Sequence, residues 1–181
     1  MRKRTQGMVL VAGLVALLVA LTVSPAMAQQ EQSGEGESPL QQRIQQRWEM
    51  VKQRIELAIT RFNNNKERHI KVYNQVKAKV EKLLQQLKDK GYDVSKLESD
   101  LATWDQMIRK FAQDYADFIR KLEEIVALTP EQAQGSYASL IKEARQMLQT
   151  IHQDALNIRL YYQQTIRADI QELRAQLPEA A

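Results

Sequence analysis

Between Leu97 and Ile125 the chain leaves room for very few structures. Its apolar residues there are Leu97, Leu101, Trp104, Ile108, Phe111, Tyr115, Phe118, Leu122 and Ile125, alternating four and three positions apart without exception. Four consecutive heptads of this kind describe a helix whose seam faces partner helices. The rest of the chain must therefore supply the partners.

Segments on both sides can do so. Ser38-Pro39-Leu40-Gln41 places Ser at a helix N-cap, Pro at the first helical position and Gln where it closes a capping box. From there an apolar seam runs through Ile44, Trp48, Val51, Ile55, Ile59 or Ala58, Phe62, Tyr73, Val76, Val80, Leu83 and Leu87, and Gly91 supplies a left-handed stop. Asn63-Asn64-Asn65 are poor helix formers, yet Phe62, Asn65 and His69 keep the four-three phase across them. One continuous helix is therefore expected there, in preference to a break into two. Ser95 and Glu98 read as a second capping box, and Thr129-Pro130-Glu131-Gln132 as a third. The third opens a helix carrying Ala133, Tyr137, Leu140, Ala144, Met147, Ile151, Ala155, Ile158, Tyr162, Ile166, Ile170, Leu173 and Leu177, ended by Pro178.

Connections this short leave consecutive helices antiparallel. The expected fold is all-α: an elongated antiparallel, up-down-up three-helix coiled coil in a domain of residues 38–178. Its helices are expected at about 38–90, 95–128 and 129–177, with a tail at 179–181. Setting Leu97 opposite Leu87 and Ile125 opposite Ala133 predicts layers such as Trp104/Val80/Ala155 and Leu122/Phe62/Tyr137. In that register His69 shares a layer with Tyr115, and a buried hydrogen bond between them would satisfy both polar atoms. The middle helix is the shortest, so its neighbours overhang at opposite ends, by about 30 Å and 22 Å at 1.5 Å per residue. The apolar stripes there, Ile44, Trp48, Val51 and Ile55 on one and Ile166, Ile170 and Leu173 on the other, would lack an intramolecular partner. They are the candidate interaction residues.

A targeting segment precedes the domain. Arg2, Lys3 and Arg4 form a basic head, Met8 to Val23 an apolar run, and Ala26-Met27-Ala28 a small-residue cleavage site after Pro25. These are the three parts of a secretory signal peptide at residues 1–28. Cleavage after Ala28 would put the protein in the periplasm, the cell envelope or the medium, with no transmembrane segment left; retention as a membrane anchor is the alternative. Residues 29–37, rich in Gln, Glu, Gly and Ser, read as a disordered linker. Cleavage also changes the charge, from a net +4 to 23 Lys/Arg against 22 Asp/Glu. With no cysteine, disulfides, a lipoprotein anchor and thiolate chemistry are excluded.

Chemistry is sparse. Only His69 and His152 are present, without a helical His/carboxylate ligand pair, and no phosphate loop or nucleophile motif is visible. No enzyme, catalytic residue, cofactor or metal is expected. Charge is more telling: residues 38–90 hold 13 Lys/Arg against 5 Asp/Glu. Part of that excess should face the acidic middle helix, Lys77, Lys79 and Lys82 opposite Asp100 and Asp105. The rest could meet an anionic partner such as lipid headgroups, cell-wall polymer or nucleic acid. Without interleaved exposed aromatics, sequence-specific nucleic-acid recognition is not expected.

Leu128-Thr129-Pro130-Glu131-Gln132 resembles the LTxxQ motif of periplasmic chaperones of the Spy and CpxP type. The basic helical hairpin is also loosely similar to Skp, an exported chaperone with coiled-coil arms. The LTxxQ family carries two copies of the motif and this chain one. The resemblance implies an ATP-independent chaperone or envelope-stress protein. Taken by themselves, the residues point to an exported, non-enzymatic scaffold or interaction protein that self-associates or binds protein partners through its overhanging helix ends. Chaperone activity and anionic-surface binding are the alternatives.

Overall fold

The computed structural model describes residues 38–176. The expected signal peptide 1–28 and linker 29–37, with Leu177, Pro178 and the expected tail 179–181, lie outside the described residues. The architecture is an all-α three-helix one, without strands among the described residues. Helix α1 spans Pro39–Asp89, α2 Ser95–Val126 and α3 Pro130–Tyr161; a π-helical turn, Tyr162–Ile166, joins α3 to α4, Arg167–Ala175. Among the described residues no helix is long and apolar enough to cross a membrane.

Helix ends follow local chemistry. At the start of α1 the Ser38 amide donates to Gln41 Oε1 (2.9 Å) and the Gln41 amide to Ser38 Oγ (3.2 Å), a reciprocal capping box. Thr129 and Gln132 repeat it ahead of α3, at 2.9 and 3.4 Å. The expected box at Ser95 and Glu98 is not formed. Asp93 caps instead, its Oδ1 accepting from the Ser95 amide (3.0 Å) and hydroxyl (2.7 Å), while Glu98 reaches Lys88 at 2.9 Å. Asp accepts as well as Ser does at an N-terminus, and its earlier position wins. Gly91, at φ +83°, ends α1: its amide donates to Lys88 O and that of Tyr92 to Leu87 O, the paired bonds of a Schellman turn. The three asparagines lie inside an unbroken α1.

All nine seam residues of α2 are buried, none more than 7% exposed. They are shared between two compact units whose boundaries fall inside helices rather than in loops. The first unit comprises residues 38–61 and 120–145 of the described chain. Its core is Trp48, Val51, Ile55, Leu122, Ile125, Ala133, Ile141 and Ala144.

The second unit comprises residues 62–119 and 146–176. An aromatic stack runs through it. Tyr73 meets Trp104, His69 meets Phe111, and Phe62 meets Phe118 edge-on at 4.8 Å between ring centres. Partners on α2 climb as the numbers on α1 fall. Tyr73 also meets Phe111, at 5.8 Å, as the expected register has it, whereas Phe62 packs on Phe118 and His69 on Phe111, about a turn from Leu122 and Tyr115. On the α3 side Trp104 meets Ile158 and Tyr162: its indole N–H donates to Ile158 O (2.9 Å), and its ring lies 5.4 Å from that of Tyr162.

The seam of α3 also differs in detail. Ile141 and Leu148 are buried where Leu140 and Met147 were expected, and the latter pair is half-buried. The expected single helix 129–177 is interrupted by the π turn, which carries one extra residue per turn. Ile151 and Ile158 are seven apart, Ile158 and Ile166 eight, Ile166 and Leu173 seven again, and all four are buried. The extra residue keeps the seam facing inward. An indole donor set into the carbonyl ladder at Ile158 is a recognised cause of such a disturbance.

Candidate functional site

The expected interaction stripes are not free. In the first unit Trp48, Val51 and Ile55 are buried. The Trp48 indole N–H donates to Leu128 O at 3.0 Å, and its ring meets Tyr137 edge-on at 5.7 Å. The end of α2 and the start of α3 thus cover a part of α1 that was expected to overhang. In the second unit Ile166 and Leu173 are buried too, and the π turn holds them on the inner face. Ile44 and Ile170 are half-buried. The stripes are core, which corrects the expectation that they lack an intramolecular partner.

The expected His69–Tyr115 hydrogen bond is also absent. The Tyr115 hydroxyl is buried without a hydrogen-bond partner, among the rings of Phe62, Phe111 and Phe118, and burial pushes its pKa up to about 12. His69 packs instead between Tyr73 and Phe111 at 5.9 and 5.7 Å. Burial first, and the neighbouring Arg68 charge second, lower its pKa, so the imidazole is neutral at pH 7.

Of the expected cross-helix ion pairs, Lys77–Asp105 is formed at 2.5 Å, and Lys77 foremost holds the Asp105 carboxyl below its ordinary pKa. Lys79 and Lys82 make no ion pair among the described residues, and Asp100 accepts from the Tyr161 hydroxyl at 2.8 Å. The α2–α3 charge contacts are ladder-like: Lys121–Glu143 in the first unit, Lys110–Asp154 in the second.

What remains outside is the opposite face of α1. In the first unit Arg43, Arg47, Met50, Arg54, Leu57 and Arg61 follow each other four and three residues apart, so they share one side of the helix. All six are exposed, Met50 at 53% and Leu57 at 61%. Among the described residues none of these four arginines has an ion pair, whereas Lys52, beside the buried Trp48, is paired with Glu49 at 3.7 Å. The result is a column of permanently charged guanidinium groups with two apolar side chains set between them. Net charge along the segment hinted at it, but only the spacing reveals a column. The same spacing that marks the α2 seam was there to be read in arginines.

The chain was compared with protein families, with curated proteins and with solved structures. It matches none of them. The five residues Leu128 to Gln132, which carry the likeness to periplasmic chaperones, here form the α2–α3 connection, the α3 cap and the acceptor for Trp48.

Proposed function

We propose that this is a non-enzymatic interaction protein that acts outside the cytoplasm and docks on an anionic surface through the exposed face of α1. The observation that carries this reading is the column Arg43, Arg47, Arg54 and Arg61, unpaired among the described residues, with exposed Met50 and Leu57 between its members. The basic head, apolar run and Ala26-Met27-Ala28 site within residues 1–28, read as a signal peptide, support the location. Near a membrane bearing anionic lipid each such cation contributes about 1 kcal/mol. Four of them supply about 4 kcal/mol, which corresponds to millimolar affinity before any apolar contact. Two apolar side chains reaching the headgroup boundary add to that. Docking is therefore reversible and governed by salt.

Sedimentation with vesicles tests it. The mature chain should bind phosphatidylglycerol-containing vesicles at low salt, release them steeply towards physiological ionic strength, and ignore pure phosphatidylcholine. The triple substitution Arg47→Gln, Arg54→Gln and Arg61→Gln should abolish binding with helicity unchanged, because all three side chains are exposed. Binding that is insensitive to salt, or equal for the two lipids, would overturn the reading. Light scattering run alongside separates docking from self-association through the same face: a concentration-independent monomer that binds vesicles supports docking.

A further inference from the structure

The second unit holds a groove between the C-terminal half of α1 and α4. Its cavity volume is about 490 Å³, within the range of about 300–1,000 Å³ usual for small-molecule sites. Val76, Val80 and Leu83 of α1, Tyr162 of the π turn and Ile170 of α4 give it apolar walls. Three cations border it, Lys79 from α1 and Arg167 and Arg174 from α4, and no acid among the described residues lines it.

None of the three cations has an ion pair among the described residues. The acids of α4 are committed elsewhere: Asp169 and Glu172 both hold Lys96 of α2, at 2.8 and 3.1 Å. The π turn contributes to this arrangement. By resetting the helix phase it turns Ile166, Asp169 and Leu173 inward, and Arg167 and Arg174, seven residues apart, stand together at the groove with Ile170 between them. Such turns inside long helices recur at functional sites.

We infer that this groove binds a single-tailed anionic amphiphile, a long-chain fatty acid, with its tail along Val80, Leu83 and Ile170 and its carboxylate among Lys79, Arg167 and Arg174. Charge complementarity selects the class. A cavity with apolar walls, whose charged lining among the described residues is cationic and whose remaining polar side chain is Gln171, matches a ligand that is one anion joined to one hydrocarbon chain. Arg167 and Arg174 can each present a planar fork to a carboxylate. The site lies in the second unit and does not depend on the arginine column of the first.

Fluorescence titration of the mature chain with dansyl-undecanoic acid tests it, with palmitate, methyl palmitate and acetate as competitors. Saturable enhancement that palmitate reverses, and that methyl palmitate and acetate reverse at least about tenfold less well, is the expected result. Arg167→Gln with Arg174→Gln should weaken binding about tenfold or more with unchanged helicity, both residues being exposed. Arg47→Gln with Arg54→Gln should leave it unaltered, which keeps the outcome distinct from vesicle docking. Absence of saturable displacement, equal competition by the methyl ester, or full affinity in the Arg167/Arg174 variant overturns the inference.

Discussion

Asp169 is 3% exposed, and one of its oxygens is buried with no hydrogen-bond partner while the other meets Lys96. Burial, more than anything else, raises its pKa, the nearby Asp100 adds to the rise, and Lys96 offsets part of it. A carboxyl with a raised folded pKa favours the native state fully below its ordinary value of 3.8, and that contribution is lost as pH climbs through the raised value. Asp93 and Asp105 behave oppositely: their lowered pKa values stabilise above the ordinary range and lose effect as pH falls through them. His69, lowered from 6.5, also costs stability as acid protonates the unfolded chain. Comparison of the wild type with Asp169→Asn isolates the one carboxyl. As pH falls from 7 towards 3.8 the urea midpoint of the wild type should rise relative to that of the variant, and parallel profiles over that whole range would show that Asp169 does not titrate differently on folding.

Elements differ in how much of them the sequence discloses. The α2 seam is legible in full because nine apolar residues admit one phase. The α3 seam offers two, since Leu140–Ile141 and Met147–Leu148 are adjacent apolar pairs, and packing alone selects Ile141 and Leu148. The π turn left a trace in the spacing of eight between Ile158 and Ile166, which a regular helix cannot keep on one seam. The arginine column was hidden for a different reason: summed charge carries no direction, and direction is what makes a surface. Two measurements belong at this scale. Asn64 is exposed within an unbroken helix, so Asn64→Ala should stabilise by about 0.5 kcal/mol through helix propensity, read as a higher urea midpoint at unchanged slope. Trp104→Phe removes the indole donor from Ile158 O inside the core and should cost about 1–3 kcal/mol by the same assay.

For the whole molecule the decisive fact is where the two units divide. The divisions after Arg61, Ile119 and Arg145 all fall within helices, so no linker marks them in the sequence. Limited trypsinolysis should therefore spare Arg61, Arg120 and Arg145 and cut early at Lys90, exposed in the turn ahead of Gly91, because cleavage within a helix needs local unfolding. Early cleavage at Arg61, found by mass spectrometry, would mean that α1 opens there.

The chain has two tryptophans, and each donates its indole N–H to a main-chain carbonyl within its own unit: Trp48 to Leu128 in the first, Trp104 to Ile158 in the second. Each unit therefore contains one tryptophan in a buried, hydrogen-bonded setting that unfolding would expose to water. A variant retaining only Trp48 and another retaining only Trp104 would report on the two halves separately, in emission wavelength and quenching by iodide. No dye or label would be needed.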